Sequence, residues 1–226
     1  VPQQCDVSGI RRRRQWSPDA RALGVIGDRW MLLIVRELAF GPLRLSELQR
    51  AFPGLSTGAL EQRLNRMTAE ELITRRRYAE VPPRVEFELT SAGEDLLRIL
   101  APVVRWALRW AWSEPTAEEW VDVTALFRLA GCLVDPPAEL DAEIELIVED
   151  EQQVALDLYT LALRDGVATV HHMPAARADA VIKATKPGWT AALGPAGSHD
   201  ALRISGDERL VELFLASFGA PSGDVR

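Results

Sequence analysis

Between residues 46 and 89 the chain concentrates side chains able to hydrogen-bond nucleic acid. Glu61, Gln62, Arg63, Asn65 and Arg66 share the flank of a stretch whose apolar positions Leu60, Leu64 and Met67 recur at i, i+4 and i+7. Gln can pair bidentately with adenine and Arg with guanine. Ser56, Thr57, Gln62, Arg63 and Arg66 are therefore the expected contacts in the major groove or on its rim. Arg75, Arg76, Arg77 and Arg84 flank the next turn and are candidates for phosphates or the minor groove, where cations add salt-dependent affinity. Each arginine taken alone could equally sit in a surface ion pair.

The elements that must carry these residues are set by local signals. A short helix from Ser46 is closed by Pro53-Gly54, and a second starts after Ser56, a suitable N-cap. Thr74-Arg75-Arg76-Arg77-Tyr78 and the alternating Val85-Glu86-Phe87-Glu88-Leu89 flank a turn containing Pro82-Pro83, which predicts a hairpin. Helix, tight turn, helix and basic hairpin is the order of a winged helix-turn-helix.

The residues also resemble a known family. Ala22-Leu23-Gly24-Val25-Ile26-Gly27-Asp28-Arg29-Trp30 and the apolar run to Leu38 are similar to the entry helices of HxlR-type bacterial transcriptional regulators. So are Arg44-Leu45-Ser46-Glu47-Leu48, the Pro53-Gly54-Leu55-Ser56 turn, and the run from Pro82 to Thr90, in order, between about residues 16 and 110. The resemblance implies a double-stranded operator as partner, repression as the usual mode, Arg44 presented to the DNA backbone, and a homodimer built by the first helix and the long helix after the wing. Family members often carry a cysteine at the position of Ser17, and in some of them it acts as a thiol sensor. A serine cannot do that chemistry, and Cys5 does not match the position.

The net charge of −7 conceals a division. Residues 1–113 hold 18 Arg, no Lys and 13 carboxylates, a net of +5, whereas residues 114–226 hold 8 cations and 20 carboxylates, a net of −12. One surface is suited to phosphate and the other is kept away from it. With no apolar run of transmembrane length, no signal-peptide pattern and only Cys5 and Cys132, a soluble cytoplasmic protein without disulfides, zinc or other cofactor is expected.

Along the chain, Arg11-Arg12-Arg13-Arg14 is either a DNA-reaching arm or a solvated tail. Ser17-Pro18 opens the first helix, and Trp30, Leu33, Ile34 and Leu38 have core spacing. A long helix over residues 92–112 carries Leu96, Leu100, Val103, Val104, Ala107, Leu108 and Ala111, with Pro102 as a kink and Trp106, Trp110 and Trp112 as further apolar area. That area must be covered by a partner subunit or by the chain's own second domain.

Ser113-Glu114-Pro115-Thr116 marks the boundary between an N-terminal domain, 16–113, and a second, 116–221. A helix is predicted over 117–133, strands over 144–148, 154–163, 167–172, 178–184 and 201–205, and helices from 185 or 186 to 193 and over 207–218. The fold class is α+β. Leu202-Arg203-Ile204-Ser205-Gly206-Asp207 and the apolar helix after it resemble sterol carrier protein-like domains, helices layered on a sheet. That resemblance implies an apolar cavity for a small hydrophobic effector, with Trp120, Phe127, Tyr159, Trp189 and Phe214 as walls; the same residues also suit an ordinary core. His171 and His172 must point to opposite faces of their strand, a poor arrangement for a shared metal.

No phosphate loop, nucleophile elbow or metal-ligand cluster is present, and the acidic Glu149-Asp150-Glu151 has the look of a solvated turn, so no enzyme is expected. Three readings remain: an effector-controlled regulator, a hydrophobic-ligand carrier with vestigial DNA binding, and a regulator whose second domain only dimerises or recruits a protein. An open or a filled cavity separates the last from the others.

Overall fold

A computed structural model describes residues 16–79, 84–116, 118–119, 121–195 and 197–218. Cys5, the Arg11–Arg14 run, the 80–83 turn and Trp120 lie outside the described residues.

The first domain begins with α1 (Pro18–Ile26), where the Ser17 hydroxyl accepts from the Ala20 N–H at 3.3 Å and Pro18 occupies the first turn. Asp28 caps α2 (Arg29–Glu37), accepting from the Trp30 N–H at 3.0 Å. A short strand β1 (Leu43–Arg44) leads into α3 (Leu45–Ala51), then α4 (Thr57–Ala69), the wing strands β2 (Ile73–Tyr78) and β3 (Arg84–Leu89), and the long helix α5 (Ser91–Trp110). The wing is an antiparallel three-stranded sheet in the order β1-β3-β2. Met31, Ile34, Leu38, Leu48, Leu60, Leu64, Met67, Ile73 and Phe87 form one buried cluster, so the 3.6-residue spacing of α2 and α4 becomes the core of the reading head.

The second domain comprises α6 (Thr124–Leu133), β4 (Ala142–Glu149), β5 (Ala155–Arg164), β6 (Val167–His171), β7 (Ala180–Thr185), α7 (Lys186–Leu193), β8 (Arg203–Gly206) and α8 (Glu208–Phe218). Its sheet runs β6-β5-β4-β7-β8, with β4 and β7 parallel and the other pairs antiparallel. The helix expected from residue 117 starts later, at Thr124 after the N-cap position Val123, where the preceding Asp122 accepts from the Ala125 N–H at 3.1 Å and the Thr124 hydroxyl at 2.7 Å. The Ser205-Gly206-Asp207 corner also has a local cause. Gly206 has φ of 93° and a Cβ there would meet the Asp179 carbonyl oxygen at 2.1 Å, while Asp207 accepts from the Arg209 N–H at 2.9 Å to start α8.

The long helix divides its apolar surface between the two covers that the sequence left open. Leu100 and Ala101 join the second domain's core beside Phe127 and Leu133, and Arg105 donates to the Leu133 carbonyl at 2.8 Å. Ile99, Val103, Trp106 and Trp110, on the other side, remain exposed. Among the described residues no helix is long and apolar enough to cross a membrane.

Candidate nucleic-acid interface

The turn between α3 and α4 is held by Gln49, whose amide donates to the carbonyls of Leu55 at 2.5 Å and Phe52 at 3.4 Å. Ser56 caps α4, its hydroxyl accepting from the Ala59 N–H at 3.3 Å. With Leu60, Leu64 and Met67 buried, Ser56, Thr57, Gly58, Glu61, Gln62, Asn65 and Arg66 are exposed. Arg63 does not share this face. Its Nε lies 2.9 Å from the Asp28 carboxylate, and it donates back to the Ala59 carbonyl at 3.0 Å. Arg66, although exposed, donates to the Gly24 carbonyl of α1. Both side chains therefore tie the helix to the α1–α2 corner. The sequence pattern marks their outward reach but gives no sign of Asp28 or Gly24 as partners.

The wing sorts its arginines by strand alternation. Arg75 and Arg77 pair across with Phe87 and Val85, on one face, and the Arg75 guanidinium lies 6.0 Å from the Phe87 ring centre. Arg76 lies opposite Glu86, on the other face, with its Nε 2.8 Å from Glu88. Arg84 is ion-paired with Glu86 and covers the Tyr78 ring at 5.4 Å, and Arg44 stands 3.9 Å from the same buried Glu86. Arg44, Arg76 and Arg84 thus have carboxylates beside them. Among the described residues Arg77 makes no ion pair.

A second polar site lies where the domains meet. Glu37, at the end of α2, is buried, with Arg128 of α6 at 2.8 Å and Arg36 at 2.8 Å. Asp122 lies 3.3 Å from Arg36 and 3.9 Å from Arg128. Alongside, Tyr159 donates to Asp157 at 3.1 Å and stacks on His172 at 4.6 Å, while His172 lies 2.5 Å from Asp157. Burial pushes the Tyr159 hydroxyl up to about 12, against the opposing pull of Arg128. Between these groups is a cleft of about 540 Å³, lined by Glu47 and Arg50 of α3 on one side and by Thr124, Asp157, His172 and Lys186 on the other. His171 points away, towards Thr169.

Four of the five expected cavity walls are core residues. Phe127, Tyr159, Trp189 and Phe214 are buried against one another, with Phe127 4.7 Å from Trp189 and 5.7 Å from Tyr159, and Phe214 6.3 Å from Trp189. The Trp189 indole N–H donates to the Ile147 carbonyl at 2.9 Å, which satisfies its one polar atom inside the core. Glu149 is likewise not a solvated surface residue: it is buried and ion-paired with Arg203, while Asp150 accepts from two N–H groups of its turn, those of Gln152 and Val154. Burial raises the pKa of the Cys132 thiol, which disfavours the thiolate. Among the described residues no cluster could hold a metal ion.

A capped helix with an outward polar face, beside a basic hairpin, defines a winged helix-turn-helix DNA-binding protein. Residues 25–115 match the HxlR-like helix-turn-helix family. The chain is 37% identical over 90 residues to the uncharacterized HTH-type transcriptional regulator YvaP of Bacillus subtilis, covering 40% of this chain and 83% of that one. It is 38% identical over 96 residues to YkvN, also named as an HTH-type transcriptional regulator of B. subtilis, covering 42% and 81%. The solved structure of the reduced form of the transcriptional regulator YodB from B. subtilis is similar at 29% identity and a TM-score of 0.39, over 45% of this chain and 99% of that one. The protein belongs to the HxlR-like helix-turn-helix family of DNA-binding transcriptional regulators. The family match stops at residue 115, and the mixed five-stranded sheet with its helices lies beyond it.

Proposed function

We propose that the protein is a sequence-specific transcriptional repressor that binds a pseudo-palindromic operator as a homodimer. The observation that carries the reading is the outward face of α4, where hydrogen-bonding side chains stand clear of the core beside the basic strand β2. The partition of charge, +5 against −12, supports it, since the second half is repelled by phosphate. The dimer reading rests on Ile99, Val103, Trp106 and Trp110 of α5, with Trp16 and Leu23 at the start of the domain; these large apolar side chains are exposed in one chain.

One observation favours a second reading, control by a small molecule, and it moves the site. In the second domain Phe127, Tyr159, Trp189 and Phe214 are buried against one another. The interdomain cleft borders α3 on one side and the second sheet on the other, so an effector bound there would act on the helix that positions α4.

The test is fluorescence anisotropy with DNA from upstream of the protein's own gene, against random duplex, at several salt concentrations. Tighter binding to the upstream DNA, at one dimer per site, is the expected result. Equal binding to both duplexes refutes sequence-specific regulation. Release by an apolar extract of the source cells would establish the effector reading, and an extract without effect would remove it.

A further inference from the structure

Successive residues of an α-helix are turned by about 100°. On α4 the buried Leu60, Leu64 and Met67 therefore place Gly58 and Gln62 opposite the core, with Asn65 and Arg66 roughly 50° to either side of that line and Glu61 nearer the buried stripe. The flanking and inward cations are both engaged, Arg63 with Asp28 and Arg66 with the Gly24 carbonyl. Among the described residues neither Gln62 nor Asn65 has a partner within the chain. A Cβ added at Gly58 would meet nothing within 4 Å, so the turn before Gln62 presents bare backbone to whatever approaches.

We propose that Gln62 and Asn65 are the base-reading residues, that each reads an adenine in the major groove, and that Arg63 and Arg66 are positioning residues that fix the helix. The proposal rests on the DNA-binding reading above. A carboxamide presents one acceptor and two donors, which match the N6 amino group and N7 of adenine as a pair. Gln62 and Asn65 are three residues apart, a rise of about 4.5 Å, against about 3.4 Å between base pairs. They accordingly address neighbouring base pairs of one half-site. For Arg63 to reach guanine it would have to leave Asp28, whose side chain also caps α2.

The experiment is selection of bound duplexes from a randomised library by the full chain and its variants, followed by sequencing. The wild type should enrich adenine at two neighbouring positions in each half-site. Gln62→Ala and Asn65→Ala should each abolish the preference at one position, a loss of roughly 5- to 150-fold in relative affinity there, and keep the other. Gln62→Glu should turn its position from adenine towards cytosine, whose N4 donates to a carboxylate. Arg63→Ala should weaken binding to all sequences without changing the preferred one. The variants at all four α4 positions, Gln62, Arg63, Asn65 and Arg66, are checked for folding by thermal melting. Guanine enrichment that disappears in Arg63→Ala or Arg66→Ala, with the amide variants unchanged, overturns the proposal while leaving DNA reading intact. A library with no enriched sequence overturns the proposal and the regulator reading together.

Discussion

The outward face of α4 and the aromatic cluster of the second domain are both built from residues whose types suit a binding site, yet the molecule treats them oppositely. On α4 the polar side chains Gln62 and Asn65 are left in solvent, and burial is confined to Leu60, Leu64 and Met67. In the second domain Phe127, Tyr159, Trp189 and Phe214 consume each other's surface. The difference comes from the cost of covering each side chain. An amide needs a partner if it is buried, whereas an aromatic ring gains from any close contact. Aromatic residue type is therefore poor evidence for a pocket, and the polar residues that stay unpartnered on a rigid helix are the better sign of a surface that meets something else.

The strongest way to break this contrast is to hollow the second domain. Trp189→Ala should destabilise the protein by about 3–5 kcal/mol in chemical denaturation, as large-to-small changes in a packed core do, whereas Gln62→Ala should stay within about 0.5 kcal/mol. A Trp189→Ala protein as stable as the wild type would mean the core is loose and the contrast false. Next comes the ion cluster joining the two regions. Arg128→Met leaves the buried Glu37 with Arg36 alone and should cost about 3 kcal/mol, with the two domains separating into distinct unfolding transitions. A single unshifted transition would show that the cluster contributes nothing to the docking.

Within the first domain, the two faces of the wing sharpen the comparison further. Removing Arg75 and Arg77 together should flatten the slope of log affinity against log salt by roughly 0.9 for each phosphate no longer neutralised. Arg76→Ala should change the slope less, because Glu88 already lies beside that guanidinium. Equal effects from Arg75 and Arg76 would show that alternation along β2 does not select the DNA-facing cations. The smallest effect expected is at alkaline pH. The protein has two tyrosines, and one phenol should ionise only near about 12, a phase that Tyr159→Phe removes from the ultraviolet titration. Because the folded state holds that proton more tightly than the unfolded one, Tyr159 supports stability fully below pH 10 and loses that support as pH rises towards 12.

Much of the architecture is legible in the residues themselves. Ser17-Pro18 opens α1, Ser56 opens α4, and the strand runs of the second domain fall within two residues of those expected, because caps and apolar periodicity act within a turn or two of chain. The start of α6 is less legible, since Trp120 and Val123 have core-like types while the first turn's N–H of Ala125 is taken by Asp122. Residues 25–115 carry the family in their motifs.

The sequence by itself determined the order of elements, the phase of each helix and the separation of basic from acidic halves. Only the tertiary structure decided where long side chains end and which apolar surfaces remain open. Arg66 finds the Gly24 carbonyl 42 residues away and Arg128 finds Glu37 across 91 residues, and α5 gives Leu100 to its own second domain while leaving Trp106 bare. The physical reason is range. Helix phase and capping are set by neighbours a few residues off, whereas a guanidinium's partner or a ring's cover is whichever group the packed fold brings within a few ångströms.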